Sequence, residues 1–311
     1  MTILLTGASG FVGKAILKNA QQRSLKIRPV YRSIDSAKKK SYALVVPELD
    51  GEADWSQAMQ GVDIVIHAAA RAHIMREETV NSLAEYRRVN VEGTLNLARQ
   101  AAAAGVRRFV FISSIKVNGD VTSPGNPFTA GDTPAPEDAY GVSKAEAEEQ
   151  LKLLVQETRM TVTMIRPPLI YGPGVKGNFA SLISWVRRGL PLPLGGVTNN
   201  RRSLVGLDNL VDLILVCAHH PKAANQIFLI SDGEDLSTTE LLRKIGNALN
   251  QPACMLWVPA GVISFLAGLL GKKRISQRLL GSLQVDISKT CELLDWKPSV
   301  AVDEGLRRAL E

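Results

Sequence analysis

The stretch Thr6-Gly7-Ala8-Ser9-Gly10-Phe11-Val12-Gly13 decides the fold. A short β-type run, residues 1–6, precedes it, and residues 14–22 follow with the apolar spacing of a helix. Glycines in such a strand–turn–helix unit permit a tight turn, close helix–sheet contact and close approach of the backbone to a pyrophosphate. The N–H groups at the helix N-terminus attract that anion. The stretch therefore predicts a dinucleotide site at the start of an α/β sheet.

β-type runs alternate with helical stretches over most of the chain. The runs are residues 26–31, 43–46, 62–67, 109–113, 161–166 and 226–230, and the longer helical stretches are 83–104, 139–157 and 205–220. This alternation predicts an α/β fold with a Rossmann doubly wound parallel sheet. Clusters of Pro and Gly interrupt the pattern after residue 167. We expect a dinucleotide-binding domain of residues 1–166 with about 205–230, and a smaller discontinuous α+β substrate-binding domain of residues 167–204 and 231–311.

The amino-acid composition indicates the cellular compartment of the protein and the chemical class of its binding partner. The 311-residue chain has a net charge of +7 and three cysteines, with no CxxC pair. This predicts neither a disulfide framework nor a metal site and indicates a reducing, cytoplasmic compartment. No basic segment precedes the short apolar run at the N-terminus, so we expect no export signal. The basic pairs are scattered with few aromatic residues near them, which argues against a nucleic-acid partner and leaves a phosphorylated ligand.

One apolar segment raises the question of a membrane. Residues 245–271 contain no charged residue and are followed by Lys272-Lys273-Arg274. A spanning helix needs about 20 predominantly apolar residues, whereas Pro252 and Pro259 interrupt this segment. We expect no membrane span and a short buried helix beginning near Pro259; contact of residues 254–271 with a membrane stays open.

The end of the second β-type run bears on the choice of cofactor. Arg32 follows Tyr31 where dinucleotide sites usually carry an Asp or Glu for the ribose hydroxyls of NAD. A guanidinium offers the 2′-phosphate of NADP a charge-assisted partner. We therefore favour NADP(H), with NAD(H) as the alternative if Asp35 reaches the ribose.

A catalytic set is predicted from a strand end and a helix start. Ser114 follows the run 109–113, and Tyr140 and Lys144 are four residues apart, on one face of a helix. An ammonium beside a phenol stabilises the phenolate and eases proton exchange with a substrate oxygen. We expect Tyr140 to exchange the proton, Lys144 to tune Tyr140, and Ser114 to hold the same oxygen.

These segments resemble the extended short-chain dehydrogenase/reductase superfamily, the group of nucleoside-diphosphate-sugar epimerases, dehydratases and reductases. Further matching segments are residues 67–70, 90–94, 166–174 and 294–298. The resemblance implies that Lys144 also bonds the nicotinamide ribose. The full set of expected cofactor contacts is Gly7, Gly10, Phe11, Val12, Gly13, Arg32, Glu48, Leu49, Ala68, Ala69, Ala70, Asn90, Tyr140, Lys144, Pro167, Leu169 and Ile170.

The resemblance also implies a UDP-sugar substrate. Arg202 lies in a segment similar to the family element whose arginine binds the diphosphate, and Arg278 stands where a second such arginine is expected. The remaining residues expected to contact the substrate are Asn178, Phe179, Lys116 and His73.

The residues after Ser114 separate the activities of this group. Ile115-Lys116 stands where 4,6-dehydratases carry an Asp-Glu pair, so we do not expect dehydration. The chain is most similar to bacterial 4-ketoreductases and epimerases of UDP-N-acetylhexosamines in surface-polysaccharide synthesis. We expect an NADP(H)-dependent reductase that converts UDP-4-keto-6-deoxy-N-acetylglucosamine to UDP-N-acetylquinovosamine, acting as a homodimer. The alternatives are a UDP-N-acetylhexosamine or UDP-glucose 4-epimerase with tightly bound NAD, and a dinucleotide-sensing or assembly protein without chemistry.

Overall fold

A computed structural model describes residues 1–32, 44–46, 48–71, 82–123, 125–271 and 273–310. The strands of its main sheet are β1 (Ile3–Thr6), β2 (Ile27–Tyr31), β3 (Leu44–Val45), β4 (Ile64–His67), β5 (Arg108–Ile112), β6 (Thr161–Arg166) and β9 (Gln226–Leu229). Their order is β3-β2-β1-β4-β5-β6-β9, and all neighbours pair in parallel. This confirms the predicted Rossmann sheet. The strand order reverses between β1 and β4, where open α/β sheets bind ligands.

Alternate side chains of the strands enter two different cores. Ile3 and Leu5 lie in one hydrophobic cluster, whereas Leu4 between them lies in another. A strand whose side chains are buried on both faces belongs to a sheet that helices cover on both sides. The helices are α1 (Phe11–Gln22), α2 (Ser56–Met59), α3 (Ser82–Arg87), α4 (Gly93–Ala103), α5 (Ala139–Glu157), α6 (Asn178–Arg187), α7 (Leu207–His219), α8 (Thr238–Ala248), α9 (Ala260–Leu269), α10 (Lys273–Leu280), α11 (Ser288–Leu294) and α12 (Val302–Leu310).

A second, three-stranded sheet lies outside the Rossmann layer. Its strands are β7 (Leu169–Tyr171), β8 (Arg202–Gly206) and β10 (Asp235–Leu236), in the order β10-β8-β7. Sequence analysis placed the start of a helix at residue 205, but the helix begins at Leu207, after β8. We refer to residues 167–204 and 231–310 as the cap. The boundaries of the two domains stay a prediction.

Two further helical predictions differ from the structure. The predicted helix over residues 83–104 is interrupted by a π-helical turn at Arg88–Glu92. The predicted helix after Pro259 is present as α9, but the expectation that it is buried is wrong, because none of its residues is buried. Among the described residues, no helix is both long and apolar enough to cross a bilayer.

Candidate active site

The glycine turn after β1 is too crowded for side chains at two of its three glycines. Gly7 has a φ of +70°, and a Cβ there would lie 2.6 Å from the backbone nitrogen of Ala69. A Cβ on Gly13 would lie 2.1 Å from the carbonyl oxygen of Gly7. The third, Gly10, is exposed and caps α1 without a side-chain hydrogen bond. The first N–H groups of α1 therefore receive no hydrogen bond acceptor from a capping side chain. Such N–H groups bind anions, so the turn fits the pyrophosphate of a dinucleotide.

The other predicted cofactor residues line the same edge of the sheet. Ala68, Ala69 and Ala70 follow β4 directly, and Ala70 is exposed. Where the chain passes from β6 into the cap, Leu169 is exposed. The carbonyl of Pro167 accepts a hydrogen bond from the backbone N–H of Ile115. The predicted contacts of these residues with a cofactor stay predictions.

On the predicted adenosine side, charged groups lie at the surface. Arg32 is exposed directly after β2. The Oε2 atom of Glu48 lies 3.0 Å from Nη1 of Arg88, and the Glu48 side chain is 64% exposed. The backbone oxygen of Leu49 lies so close to Gly93 that a Cβ there would approach it to 2.7 Å. Asp35 and His73 lie outside the described residues.

Asn90, a predicted cofactor contact, makes its observed hydrogen bonds within the protein. Its Oδ1 accepts from the backbone N–H of Arg71 at 2.8 Å, and its Nδ2 donates to the Arg71 carbonyl at 3.1 Å and to Ser143 Oγ at 3.0 Å. Asn90 is buried in the π-helical turn, a feature that is frequent at functional sites. It therefore holds the chain after β4 against α5, and contact with a cofactor stays a prediction.

Ser114 and Tyr140 meet where β5 ends and α5 begins. Ser114 Oγ accepts from the backbone N–H of Lys116 at 3.3 Å, and the carboxylate of Asp138 caps α5 by accepting from Gly141 N–H at 2.7 Å. The side chains of Ser114 and Tyr140 are hydrogen-bonded to each other. Burial, with the negative charge of Asp138 and neighbouring Tyr86, raises the pKa of Tyr140 above its usual value, and the Ser114 hydrogen bond opposes this. Tyr140 is consequently protonated near neutral pH.

Lys144 lies one turn after Tyr140 and is buried. Its Nζ donates to the carbonyl of Ile112 at 2.8 Å and lies 4.3 Å from the ring centroid of Phe111. Burial lowers the pKa of Lys144 to about 7, against the opposing charge of Glu148. The sequence predicted that this ammonium lowers the pKa of Tyr140. In the structure that pKa is raised, because burial outweighs the interactions that favour the phenolate.

A buried hydrogen-bond network behind Lys144 was not predicted from the sequence. Glu148 accepts hydrogen bonds from Arg166 Nη2 at 2.5 Å and from Ser113 Oγ at 2.5 Å. Arg166 also donates from Nη1 to Asn118 Oδ1 at 2.9 Å. Glu148 is four residues after Lys144, so the face of α5 that carries Tyr140 and Lys144 continues to it. That spacing is the signal that could have identified it.

A second buried side chain without a predicted role is His67, at the end of β4. Its Nδ1 lies 2.7 Å from Thr6 Oγ1, and its Nε2 lies 2.9 Å from Thr94 Oγ1. Burial, and then the charge of Lys144, lower the pKa of His67 to about 3. The imidazole is therefore neutral at physiological pH, and it links the glycine turn after β1 to α4.

Lys116, predicted to face the sugar, is engaged by two carboxylates. Its Nζ lies 2.7 Å from Asp120 Oδ1 and 2.7 Å from Asp138 Oδ2. Because Asp138 caps α5, this ion pair supports the helix start that carries Tyr140. The contact with the sugar stays a prediction.

The predicted substrate residues of the cap divide into two groups. Burial lowers the pKa of Arg202, Asp120 opposes this, and the positive charge of Arg278 lowers it further. Arg202 Nη1 donates to the Gly281 carbonyl at 3.0 Å. Asn178 is exposed at the start of α6, whereas Phe179 is only 1% exposed and stacks on Tyr171. The charge of Arg278 therefore acts on Arg202, whereas the Phe179 side chain lies in the cap core.

Comparisons with known proteins agree with this geometry. The profile of the NAD dependent epimerase/dehydratase family matches residues 3–231. A UDP-glucose 4-epimerase of Vibrio cholerae is 48% identical over 100% of this chain and 94% of its own length. An N-acetyl-α-D-glucosaminyl-diphospho-ditrans,octacis-undecaprenol 4-epimerase of Escherichia coli O157:H7 is 28% identical over 87% of this chain and 81% of its own.

A solved structure shares the fold. The UDP-glucuronic acid 4-epimerase of Bacillus cereus in complex with NAD superposes with a TM-score of 0.79 at 20% identity, covering 99% of this chain and 97% of that one. The family profile covers most of the chain, and the Vibrio cholerae relative covers all of it. The protein therefore belongs to the NAD dependent epimerase/dehydratase family, within the extended short-chain dehydrogenases/reductases.

Proposed function

We propose that this protein is a nucleotide-sugar 4-epimerase that inverts C4 of a UDP-hexose and keeps its dinucleotide bound between turnovers. The observation that carries the proposal is the Ser114–Tyr140 hydrogen bond beside the buried Lys144. The two hydroxyls lie at the carboxyl edge of a sheet whose first turn fits a dinucleotide. The 48% identity with a UDP-glucose 4-epimerase supports epimerisation over the reductase that sequence analysis favoured.

The catalytic residues would act on the sugar O4. Ser114 holds this oxygen. Because the Tyr140 phenol is protonated near neutral pH, it would first release its own proton to solvent and would then, as phenolate, accept the O4 proton as the C4–H bond breaks. A nicotinamide ring, when bound, supplies reversible hydride transfer at C4. Once the 4-keto sugar presents its other face, Tyr140 returns the proton to O4, and the C4 epimer results. Atoms and electrons balance over the cycle, so the cofactor is not consumed.

The expected cofactor residues supply binding and orientation. The glycine turn and the first turn of α1 would hold the pyrophosphate. Asn90 supports this edge indirectly, because it fixes the chain after β4. NAD is the cofactor we propose, since a bound, recycled dinucleotide suits an epimerase and the Bacillus cereus enzyme of the same fold is in complex with NAD.

The substrate is proposed to be a UDP-sugar, with its diphosphate between Arg202 and Arg278. Two adjacent guanidinium groups repel each other and are stabilised by an anion between them. Guanidinium groups bind diphosphate oxygens in bidentate fashion. The effect of the Arg278 charge on the pKa of Arg202 supports this role, because an anion between the two groups would relieve their repulsion.

The test is a product assay with the purified protein and no added cofactor. UDP-glucose and UDP-N-acetylglucosamine are incubated separately, and the products are separated and identified by NMR. We expect interconversion with the 4-epimer for at least one of them, and release of NAD when the protein is denatured. No epimer with either sugar, from protein that retains bound dinucleotide, would contradict the proposal.

Arg32 favours a second candidate, the NADP(H)-dependent 4-ketoreductase. It is exposed directly after β2, where a 2′-phosphate would meet a cation. This candidate requires NADPH consumption in proportion to product with UDP-4-keto-6-deoxy-N-acetylglucosamine. An Arg32→Asp variant should then lose affinity for NADPH and retain it for NADH. The homodimer and the role in surface-polysaccharide synthesis stay predictions from the family resemblance.

A further inference from the structure

The cap presents an apolar surface that no described part of the chain covers. Helix α9 has no buried residue, and the chain before it exposes two more large side chains. We call this set the apolar face. Its members and exposed fractions are Leu256 52%, Trp257 75%, Val262 45%, Phe265 67%, Leu266 51%, Leu269 71% and Leu270 70%. Contiguous exposed apolar surfaces of this kind mark sites of interaction with a protein or a membrane.

The length and pattern of α9 narrow its role. A helix that is apolar on all sides is normally buried in a protein core or in a membrane. Helix α9 does not lie in a protein core, because none of its residues is buried. A span is excluded too, since ten residues rise about 15 Å, against a hydrocarbon thickness of about 30 Å. A helix of this length is suited to lie in an interface.

The apolar face is fixed firmly to the cap. Leu192 pairs with Met255 and Gly196 pairs with Pro259, so residues 189–196 run beside the chain that leads into α9. On the helix itself, Ile263 packs against the hydrophobic core of the cap. The exposed side chains are therefore carried by a structured element, which limits the conformational entropy lost when they bind a partner.

The two stretches of sequence that carry and adjoin the apolar face are basic. Residues 241–285, which include it, contain six Lys and Arg and no Asp or Glu. Residues 167–204, which pair with it, contain five Lys and Arg and no Asp or Glu. Of these, Arg187 and Arg188 are exposed at the end of α6. Lys244 is paired with Glu234 and Asp303, and Arg201 with Glu240. The cations that remain are therefore chiefly Arg187, Arg188 and the segment Lys272-Lys273-Arg274 that follows the apolar face in sequence. An apolar face with such an excess of cations complements a surface that is apolar inside and anionic outside.

We propose that the apolar face binds the surface of an anionic lipid bilayer. Trp257 and Phe265 enter the boundary between headgroups and acyl chains, where aromatic side chains are favoured, and the flanking cations contact lipid phosphates. A second copy of the chain fits this face less well, because a symmetric contact would bring the same cations opposite one another. The proposal is independent of the 4-epimerase activity.

The test is co-sedimentation of the full-length protein with vesicles. One set is an equimolar mixture of phosphatidylglycerol and phosphatidylcholine, and the other is phosphatidylcholine alone. We expect binding to the anionic vesicles that falls as salt rises, and weaker binding to the neutral ones. A Trp257→Ser/Phe265→Ser/Leu269→Ser variant should bind anionic vesicles at least about tenfold more weakly, because it removes three large side chains from the buried contact.

Two further variants test whether vesicle binding depends on the apolar face itself and on the cations near it. Leu153→Ser removes a leucine that is 46% exposed on α5, outside the apolar face, and should bind vesicles as the unaltered protein does. Arg187→Glu/Arg188→Glu should weaken binding to anionic vesicles and leave binding to neutral ones unchanged. All variants should keep the thermal midpoint within a few degrees and the epimerase rate with soluble UDP-sugar.

Tryptophan emission reports whether the apolar face enters the lipid. Trp55 and Trp296 are 2% and 4% exposed, so a blue shift on vesicle addition arises from Trp257 or Trp185. We expect Trp257→Phe to abolish most of the shift while vesicle binding persists. The proposal is overturned if anionic vesicles bind no protein, or if the triple serine variant binds them unchanged. It is also overturned if that variant instead dissociates an oligomer in sedimentation velocity without lipid, because the face then covers a second copy.

Discussion

Arg166 and Glu148 form a buried ion pair directly behind the candidate catalytic residues. The two side chains are 1% and 2% exposed, and Arg166 contacts the carboxylate through both Nε and Nη2. Ser113 donates to the same carboxylate at 2.5 Å. The pair joins the ends of β5 and β6 to α5, the helix that carries Tyr140 and Lys144. It therefore sets where these two side chains stand relative to the sheet.

Removing one partner of this pair should destabilise the protein strongly. Glu148→Leu leaves the buried guanidinium of Arg166 unpaired, and losses of about 3–5 kcal/mol are typical of such changes. The double variant Glu148→Leu/Arg166→Met removes both charges of the pair and should be more stable than Glu148→Leu alone. Urea unfolding followed by circular dichroism measures all three proteins. Equal or greater destabilisation in the double variant would refute this account.

Lys144 should make stability depend on pH. Its pKa is about 7 in the folded protein, against an ordinary value of 10.5, so between these values the unfolded chain binds the extra proton. Stability then rises with pH across this window, and below pH 7 the cost of burying the ammonium is fully present. Lys144→Met removes this dependence.

The test compares the pH dependence of stability in the unaltered protein with that in Lys144→Met. The free energy of unfolding of the unaltered protein, minus that of Lys144→Met, should increase from pH 7 to pH 10, while contributions of other groups cancel. Chemical denaturation at several pH values supplies both curves. Parallel curves would show that folding leaves the pKa of Lys144 unchanged.

Tyr140→Phe should abolish most of the epimerase activity without unfolding the protein. The phenol is the group that exchanges the proton with the substrate, and loss of such a group typically lowers kcat by about 10²–10⁴-fold. Tyr86→Phe is the matched control, because Tyr86 packs edge-on at 6.0 Å from the Tyr140 ring and is itself 2% exposed. Rates are measured under saturating UDP-sugar. Comparable losses in both variants would assign the effect to packing.

Gly13→Ala should disrupt the glycine turn. The new methyl carbon would lie 2.1 Å from the carbonyl oxygen of Gly7, so the turn must shift, and overpacking of this kind costs about 1–3 kcal/mol. The amount of dinucleotide bound to the purified protein should also fall. Gly261→Ala, in α9, meets no atom within 4 Å and should stabilise slightly. Thermal midpoints and released dinucleotide are the two readouts, and unchanged cofactor content in Gly13→Ala would contradict the expected role of the turn.

Arg202→Ala should weaken binding of UDP. A charge-assisted hydrogen bond contributes about 1.5–3 kcal/mol, which corresponds to roughly a 10- to 150-fold rise in Kd. Arg201→Ala is the adjacent control, since Arg201 donates to the carbonyls of Thr198 and Asn200, and a change below about threefold is expected there. Isothermal titration with UDP measures both. A larger effect at Arg201 would exclude Arg202 from the diphosphate site.

Local patterns were sufficient for much of the fold. The alternation of β-type runs with helical stretches predicted the parallel sheet, because the side-chain periods of strands and helices are visible in a single sequence. The same holds for the glycine turn and for the helix that begins at Ala139. The strands of the small sheet were not predicted: β7 has only three residues in a segment rich in Pro and Gly, and the end of β8 was assigned to the helix that follows it.

The sequence by itself was sufficient to identify the family and to predict the dinucleotide turn and the candidate residues Ser114, Tyr140 and Lys144, because these predictions depend on motifs within single segments. The tertiary structure alone decided which charges meet: Glu148 with Arg166, and Lys116 with Asp138. It also decided that Tyr140 keeps its proton and that α9 lies exposed. Burial and charge pairing depend on segments distant along the chain, and a local pattern contains no information about their approach.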